Sequence, residues 1–261
     1  MKLNDLIKMA MHKPSPQRFI EIDVLRGLAI ILMVIGHLFW DLDYFGLAPM
    51  NNAYYNVLSK TVPPLFFLLV GISLVVSRKK MESQYYTDEK EYNKHILVRG
   101  LKIFCFGMFL TIFSLLFIPD RPVFFGVLHC IGISIVLSLP FLKYRKYALL
   151  FGLFIVFAGI LIAHYPMDNP SLVHFAIGFQ PAEIWRYTVD YFPLLPWFGL
   201  ALIGISIGDW LYCGNIRAFK MPDLSKYRPT KIFQWAGQHS LGIYLIHQPV
   251  IAGIITIFIL L

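Results

Sequence analysis

Apolar residues in this chain gather into seven runs of spanning length, at about 22–40, 61–77, 97–118, 123–141, 147–164, 189–211 and 238–261. A helix rises about 1.5 Å per residue, so about 20 such residues cross the hydrocarbon core of a bilayer. The pattern predicts an all-α, polytopic membrane protein of about seven transmembrane helices. Residues 1–17 read as a basic, weakly amphipathic tail at the membrane interface, and 18–261 as one transmembrane domain. The longest polar stretch, about 78–96, is too short to fold alone. No internal repeat is visible, which argues against an inverted-repeat transporter.

Charge gives the runs a direction. The N-terminal tail, the connection carrying Arg78, Lys79, Lys80, Lys90, Lys94 and Arg99, the short turn Lys143–Lys146 and the segment Arg217–Lys231 hold almost every Lys and Arg. The alternate connections hold only Lys60, Arg121 and Arg186. By the positive-inside rule the N-terminus is expected in the cytoplasm and the C-terminus outside. The net charge of +8 is therefore a topology signal, with no nucleic-acid partner implied.

Composition agrees with the pattern: 57% of residues are hydrophobic and 15% charged, against about 25% charged in a soluble domain. Cys105, Cys130 and Cys213 fall in or beside apolar runs at unrelated spacings, so neither a disulfide framework nor a zinc site is expected, and no metal. No small-x-small cleavage site follows the first run, so it is expected to stay as a span. The last run contains no lysine, which excludes a retinal Schiff base there.

The candidate chemistry starts in the first run. Arg26 and His37 are separated by ten residues; eleven steps of about 100° make roughly three turns, placing both on one helical face about 16 Å apart. Ionisable residues inside a span point to function by default. Asp41 follows His37 by one turn and is placed to accept from one ring nitrogen, leaving the other as base. His129 and His247 fall at overlapping depths, giving an outer polar layer, and Arg26, Arg99 and Lys102 form an inner cationic one. Plainer readings stand beside these: hydrogen-bonded interhelical histidines, Arg26 as an anchor reaching lipid phosphates, Asp41 and Asp43 as outer-loop charges. The Phe66–Phe67 pair reads as lipid-facing or core. The outer connection 165–188 runs into Tyr191–Trp197, where Pro193 and Pro196 free backbone groups and predict an outward-facing pocket.

Four segments carry a resemblance. Ile22–Ile30 (IDVLRGLAI), Pro63–Gly71 (PPLFFLLVG), Gly126–Gly132 (GVLHCIG) and Asp190–Gly199 (DYFPLLPWFG) resemble, in order, signatures of the heparan-α-glucosaminide N-acetyltransferase catalytic-domain family, and the likeness runs from about 18 to 250. The Arg-x10-His spacing is also similar to the first span of membrane acyltransferases that modify bacterial surface glycans. Both groups belong to a wider set of transmembrane acyltransferases. The chain departs from the lysosomal member of the family, whose catalytic histidine lies in the first outer loop; the loop here, Asp41–Lys60, holds none. Either His37 has taken that role or acyl transfer is lost. The lysosomal enzyme's extra spans and large outer domain are also missing, so a heparan substrate is not implied.

The resemblance implies transfer of an acetyl or other acyl group from cytoplasmic acetyl-CoA to a sugar, amino-sugar or glycolipid acceptor across the membrane. The expected catalytic residues are His37, Asp41 and His129, the last polarising the thioester or stabilising the oxyanion. Arg26, Arg99 and Lys102 are expected at the CoA phosphates, and Asp43, Asp190, Trp197 and His247 around the acceptor. Acetyl-CoA is a co-substrate, and the lipid bilayer and the acceptor are the other partners. A prokaryotic cell (inner) membrane is the expected location, with homo-oligomers admitted. Direct transfer and an acetyl-histidine intermediate both stay open. The alternative is a transporter or channel using the same His/Asp layer as a relay.

Overall fold

The computed structural model describes residues 19–49, 51–83, 88–213 and 216–260. The basic tail expected over 1–17 lies outside the described residues. Six described helices are long and apolar enough to cross a membrane. They are α1 (Ile20–Tyr44), α2 (Asn52–Ser83), α3 (Glu89–Phe117), α6 (Ala148–Ala163), α8 (Leu194–Leu211) and α10 (Ser240–Leu260). The shorter elements are α4 (Val127–Leu137), α5 (Leu139–Lys143), α7 (Leu172–Ile177) and α9 (Arg228–Gln238), with a two-residue hairpin of β1 (Tyr212–Cys213) and β2 (Ile216–Arg217).

The run predicted as a span over 123–141 is the exception. Its first residues are extended, because Phe125 bridges to Tyr191 and accepts the Phe192 N–H at 2.9 Å. The helix starts only at Val127. It breaks at Ser138, whose N–H bonds the Ser134 and Val136 carbonyls, two residues before Pro140, which has no N–H to offer. The same bridge delays the run predicted from 189, so α8 begins at Leu194. At the other end of the molecule, Asp88 caps α3 by accepting the Lys90 N–H, and Glu89 and Glu91 complement its positive helix end.

Small residues set the helix contacts. A Cβ on Gly71 would sit 1.9 Å from the Ala201 carbonyl oxygen, and one on Gly204 would sit 2.2 Å from that of Leu68, so α2 and α8 touch backbone to backbone. The short amphipathic α9, which was not among the elements expected from the sequence, docks on α1 in the same way through Gly27 and Gly237. Helix α6 packs on α8, α3 on α4, and α10 on α1. Leu74, Ile96, Ile135, Leu202 and Ile205 are fully buried where α2, α3, α4 and α8 converge. Lys79 closes one end of this bundle, donating to the Asp209 and Tyr212 carbonyls at 2.7 Å each.

Candidate functional site

Helices α1, α2, α3, α4 and α10 enclose a cavity of about 580 Å³, completed by Gln238 at the end of α9 and by Asp190 and Phe192 ahead of α8. Its three zones follow the helix axes.

The first zone is a cationic mouth. His95, Arg99 and Lys102 line it from α3, and their i, i+4, i+7 spacing puts them on one face. Arg26 faces it from α1, positioned by Asp23 at 3.1 Å and by the Ser73 hydroxyl at 2.7 Å. Gln238 donates to the other oxygen of Asp23 at 3.3 Å and ties α9 to the mouth. Among the described residues neither Arg99 nor Lys102 is paired with a carboxylate. Positive charge without an internal partner, next to low-dielectric walls, suits an anion.

The second zone is apolar. Ile30, Met33, Phe66, Val70, Ile103, Phe106, Leu128 and Ile131 wall a corridor leading away from the mouth. Phe66 lines this passage and is neither lipid-facing nor core, while its neighbour Phe67 is a core residue, fully buried against Trp197.

The third zone is polar and holds His37, Asp190 and Tyr244. The His37 Nδ1 lies 3.0 Å from the Met33 carbonyl. A carbonyl only accepts, so Nδ1 carries the proton and Nε2 presents its lone pair. Asp190 Oδ2 accepts the Val127 N–H and the Tyr244 hydroxyl, each at 3.2 Å. His247 packs edge-on against His37, with ring centroids 4.8 Å apart at 89°.

The remaining candidates fall elsewhere. Asp41 is 2% exposed and does not orient His37 through a hydrogen bond: both its oxygens accept from Gln248 Nε2, at 2.8 and 3.0 Å. His129 is 1% exposed and does not line the cavity. Its Nδ1 accepts the Gly126 N–H at 3.2 Å, and its Nε2 meets the Thr111 hydroxyl at 3.3 Å, so both nitrogens are occupied. Asp43 is exposed near the end of α1. Trp197 faces a second cavity of about 270 Å³ beside Tyr191 and Pro196, where the two prolines predicted a pocket. Tyr244, His95 and Gln238 were not anticipated as site residues. The helical spacing of His95 to Arg99 and Lys102 is a signal the sequence did contain, whereas the contact of Tyr244 with Asp190 spans 54 residues and leaves no local trace. No group of three or more His, Cys, Asp or Glu that could hold a metal occurs among the described residues.

The family described as Heparan-alpha-glucosaminide N-acetyltransferase, catalytic, matches residues 18–249. No curated protein and no solved structure gives a significant match.

Proposed function

The chain belongs to the heparan-α-glucosaminide N-acetyltransferase catalytic family, a family of transmembrane acetyltransferases, and from that premise we propose that it takes the acetyl group of acetyl-CoA from the cytoplasmic side and passes it to a sugar or amino-sugar acceptor on the other. The observation that carries this reading is the single cavity in which a cationic mouth and a histidine–carboxylate–phenol group are joined by an apolar corridor.

The CoA phosphates bind at Arg99, Lys102 and Arg26, where a planar guanidinium can engage two oxygens at once. The acyl-bearing arm lies along the corridor, since Arg26 and His37 are about 16 Å apart by helical rise. The basic segments support a cytoplasmic mouth: Arg78 and Lys143 both pair with Glu89, at the start of the helix that carries Arg99 and Lys102.

At the far end His37 Nε2 removes the proton from the acceptor hydroxyl or amine as that heteroatom attacks the thioester carbonyl carbon. The new C–O or C–N bond forms, the C–S bond breaks, and the CoA thiolate leaves with the proton that His37 held. Asp190 and Tyr244 bind the acceptor's polar groups. His129 supports the site from behind by holding the first turn of α4, from which Val127 reaches Asp190.

Thermal unfolding of the detergent-purified protein with and without acetyl-CoA tests this reading, run beside Arg99→Ala and Arg26→Ala. A ligand that binds only the native state must stabilise it, by about 2.7 kcal/mol at a hundredfold excess over Kd. The expected result is an upward shift in the wild type that both variants lose in large part. A folded wild type that does not respond at millimolar acetyl-CoA would sink the proposal.

A further inference from the structure

Two imidazoles meet at the reacting end of the cavity, and the mechanism above uses only one. His247 is 8% exposed, its Nδ1 lies 2.6 Å from the Tyr244 carbonyl, and its Nε2 is buried with no hydrogen-bond partner. The carbonyl fixes the proton on Nδ1, so the orphaned Nε2 is a lone pair. His37 is fixed the same way by Met33. In the resting state each ring therefore carries an acceptor at Nε2, and neither has an N–H there to give the other. A buried acceptor left unmade is costly and rare, and it calls for an explanation.

We infer that His247 is a positioning residue whose unpaired Nε2 waits for the proton that His37 acquires during transfer. The inference rests on the acetyltransferase reading for its catalytic consequence. When His37 Nε2 takes the acceptor's proton, the ring becomes a donor at that nitrogen, and the ring packed against it carries the unpartnered buried lone pair of His247. From the edge-on contact at 4.8 Å, a rotation about the soft terminal torsion of His37 aligns N–H with N while loosening its Nδ1–H bond to Met33. The bond exists only in the charged state, so it stabilises the step and not the resting enzyme. No atoms are exchanged with His247: the proton stays on His37 until the CoA thiolate removes it.

The other polar groups around His37 already have partners or are assigned to the acceptor. Asp41, one turn along α1, is committed to Gln248. Asp190 accepts from Val127 and Tyr244 through Oδ2 and, in the proposed reaction, binds the acceptor. Tyr244, which donates its hydroxyl hydrogen to Asp190, is taken up with it in binding the acceptor. The cavity residues of α2 at this level, Val62, Pro63 and Phe66, carry no charge.

Two measurements on the full-length protein test the inference, using His247→Phe, which keeps a ring and removes the lone pair, and His247→Gln, whose amide oxygen can stand in for Nε2. The first is thiol release from acetyl-CoA with glucosamine as the acceptor probe. His247→Phe should lower kcat about 30-fold with KM for acetyl-CoA within about twofold, and His247→Gln should recover most of the loss. The second needs no acceptor: carbethoxylation of His37 by diethyl pyrocarbonate, followed by mass spectrometry. Only the neutral ring reacts, so losing the partner of the charged ring should raise the ratio of the rate at about pH 6 to that at about pH 8 several-fold in His247→Phe. Wild-type kcat and an unchanged ratio in His247→Phe would overturn the inference. Equal losses of kcat in both variants with an unchanged ratio would overturn it too, since they mark a packing role. If the wild type releases no thiol but the ratio still rises, the histidine pair is supported and the acetyltransferase reading fails.

Discussion

His37 and His129 illustrate how differently two intramembrane histidines can be used. His37 has one nitrogen on the Met33 carbonyl and the other open to a cavity, whereas His129 is engaged by Gly126 on one side and Thr111 on the other. The open nitrogen can do chemistry, and the saturated one can only hold structure. Replacing His129 with Ala leaves the Gly126 N–H unpaired and a void against Gly107 and Phe104. The expected cost is roughly 2–4 kcal/mol of stability, seen as a lower Tm, with the acetyl-CoA-induced shift retained in the folded fraction. Loss of that shift at unchanged Tm would instead give His129 a direct part in binding. Asp41 makes the matching case for a carboxylate. Gln248→Leu removes the amide that serves both its oxygens and should destabilise by about 1–3 kcal/mol, because a buried acceptor loses its donor. A Tm within a degree of wild type would refute this.

The helices themselves were largely legible in the sequence, because a bilayer demands about 20 apolar residues per span and that demand is local. What was not legible is what one segment does to another. The fourth run looked like a span by composition, but Phe125 is drawn into a bridge with Tyr191, 66 positions away in the chain. Asp41 stands one turn from His37, which made it the natural orienting group, yet Gln248 of α10 reaches it first. Helix α9 hides in a basic connection because it is only eleven residues long, too short to read as a span, and the close contact that docks it depends on one glycine, Gly237, meeting Gly27. That face is open to test. A Cβ on Gly27 would lie 1.7 Å from the Phe233 carbonyl oxygen, and one on Gly237 1.8 Å from that of Asp23. Both clashes are with backbone, so α9 must move off α1. Asp23 holds both Arg26 and Gln238 at the mouth, so Gly27→Ala and Gly237→Ala should each weaken the acetyl-CoA-induced stabilisation along with Tm. Gly242→Ala, in the first turn of α10 with nothing within 4 Å of the added methyl, should be neutral or stabilising by up to about 1 kcal/mol. Equal behaviour of the three variants would show that the close approach is not required.

At the scale of the whole molecule, the charge on the chain and the direction of the reaction are one question. The cavity is polar at both ends and apolar between, and its ends differ in sign: Arg26, Arg99 and Lys102 at one, Asp190 at the other. On the proposed function an anionic donor enters at the cations, which would leave its thioester about half a bilayer away, at His37, by a helical rise of about 16 Å. Transfer across the membrane therefore needs no movement of the donor through the protein, provided the mouth faces the cytoplasm. Sidedness can be read with thiol labelling. Cys213, exposed in the hairpin after α8, lies toward the mouth end; Cys130 is buried. Leu172, 83% exposed in α7, belongs to the opposite connection and accepts a Leu172→Cys reporter. In sealed right-side-out vesicles an impermeant maleimide should label Leu172→Cys at once and Cys213 only after permeabilisation. The reverse pattern would turn the cavity around. The basic segments Arg78–Lys80 and Lys143–Lys146 would then face outward against the positive-inside rule, and acetyl-CoA, a cytoplasmic and membrane-impermeant anion, would be denied its mouth.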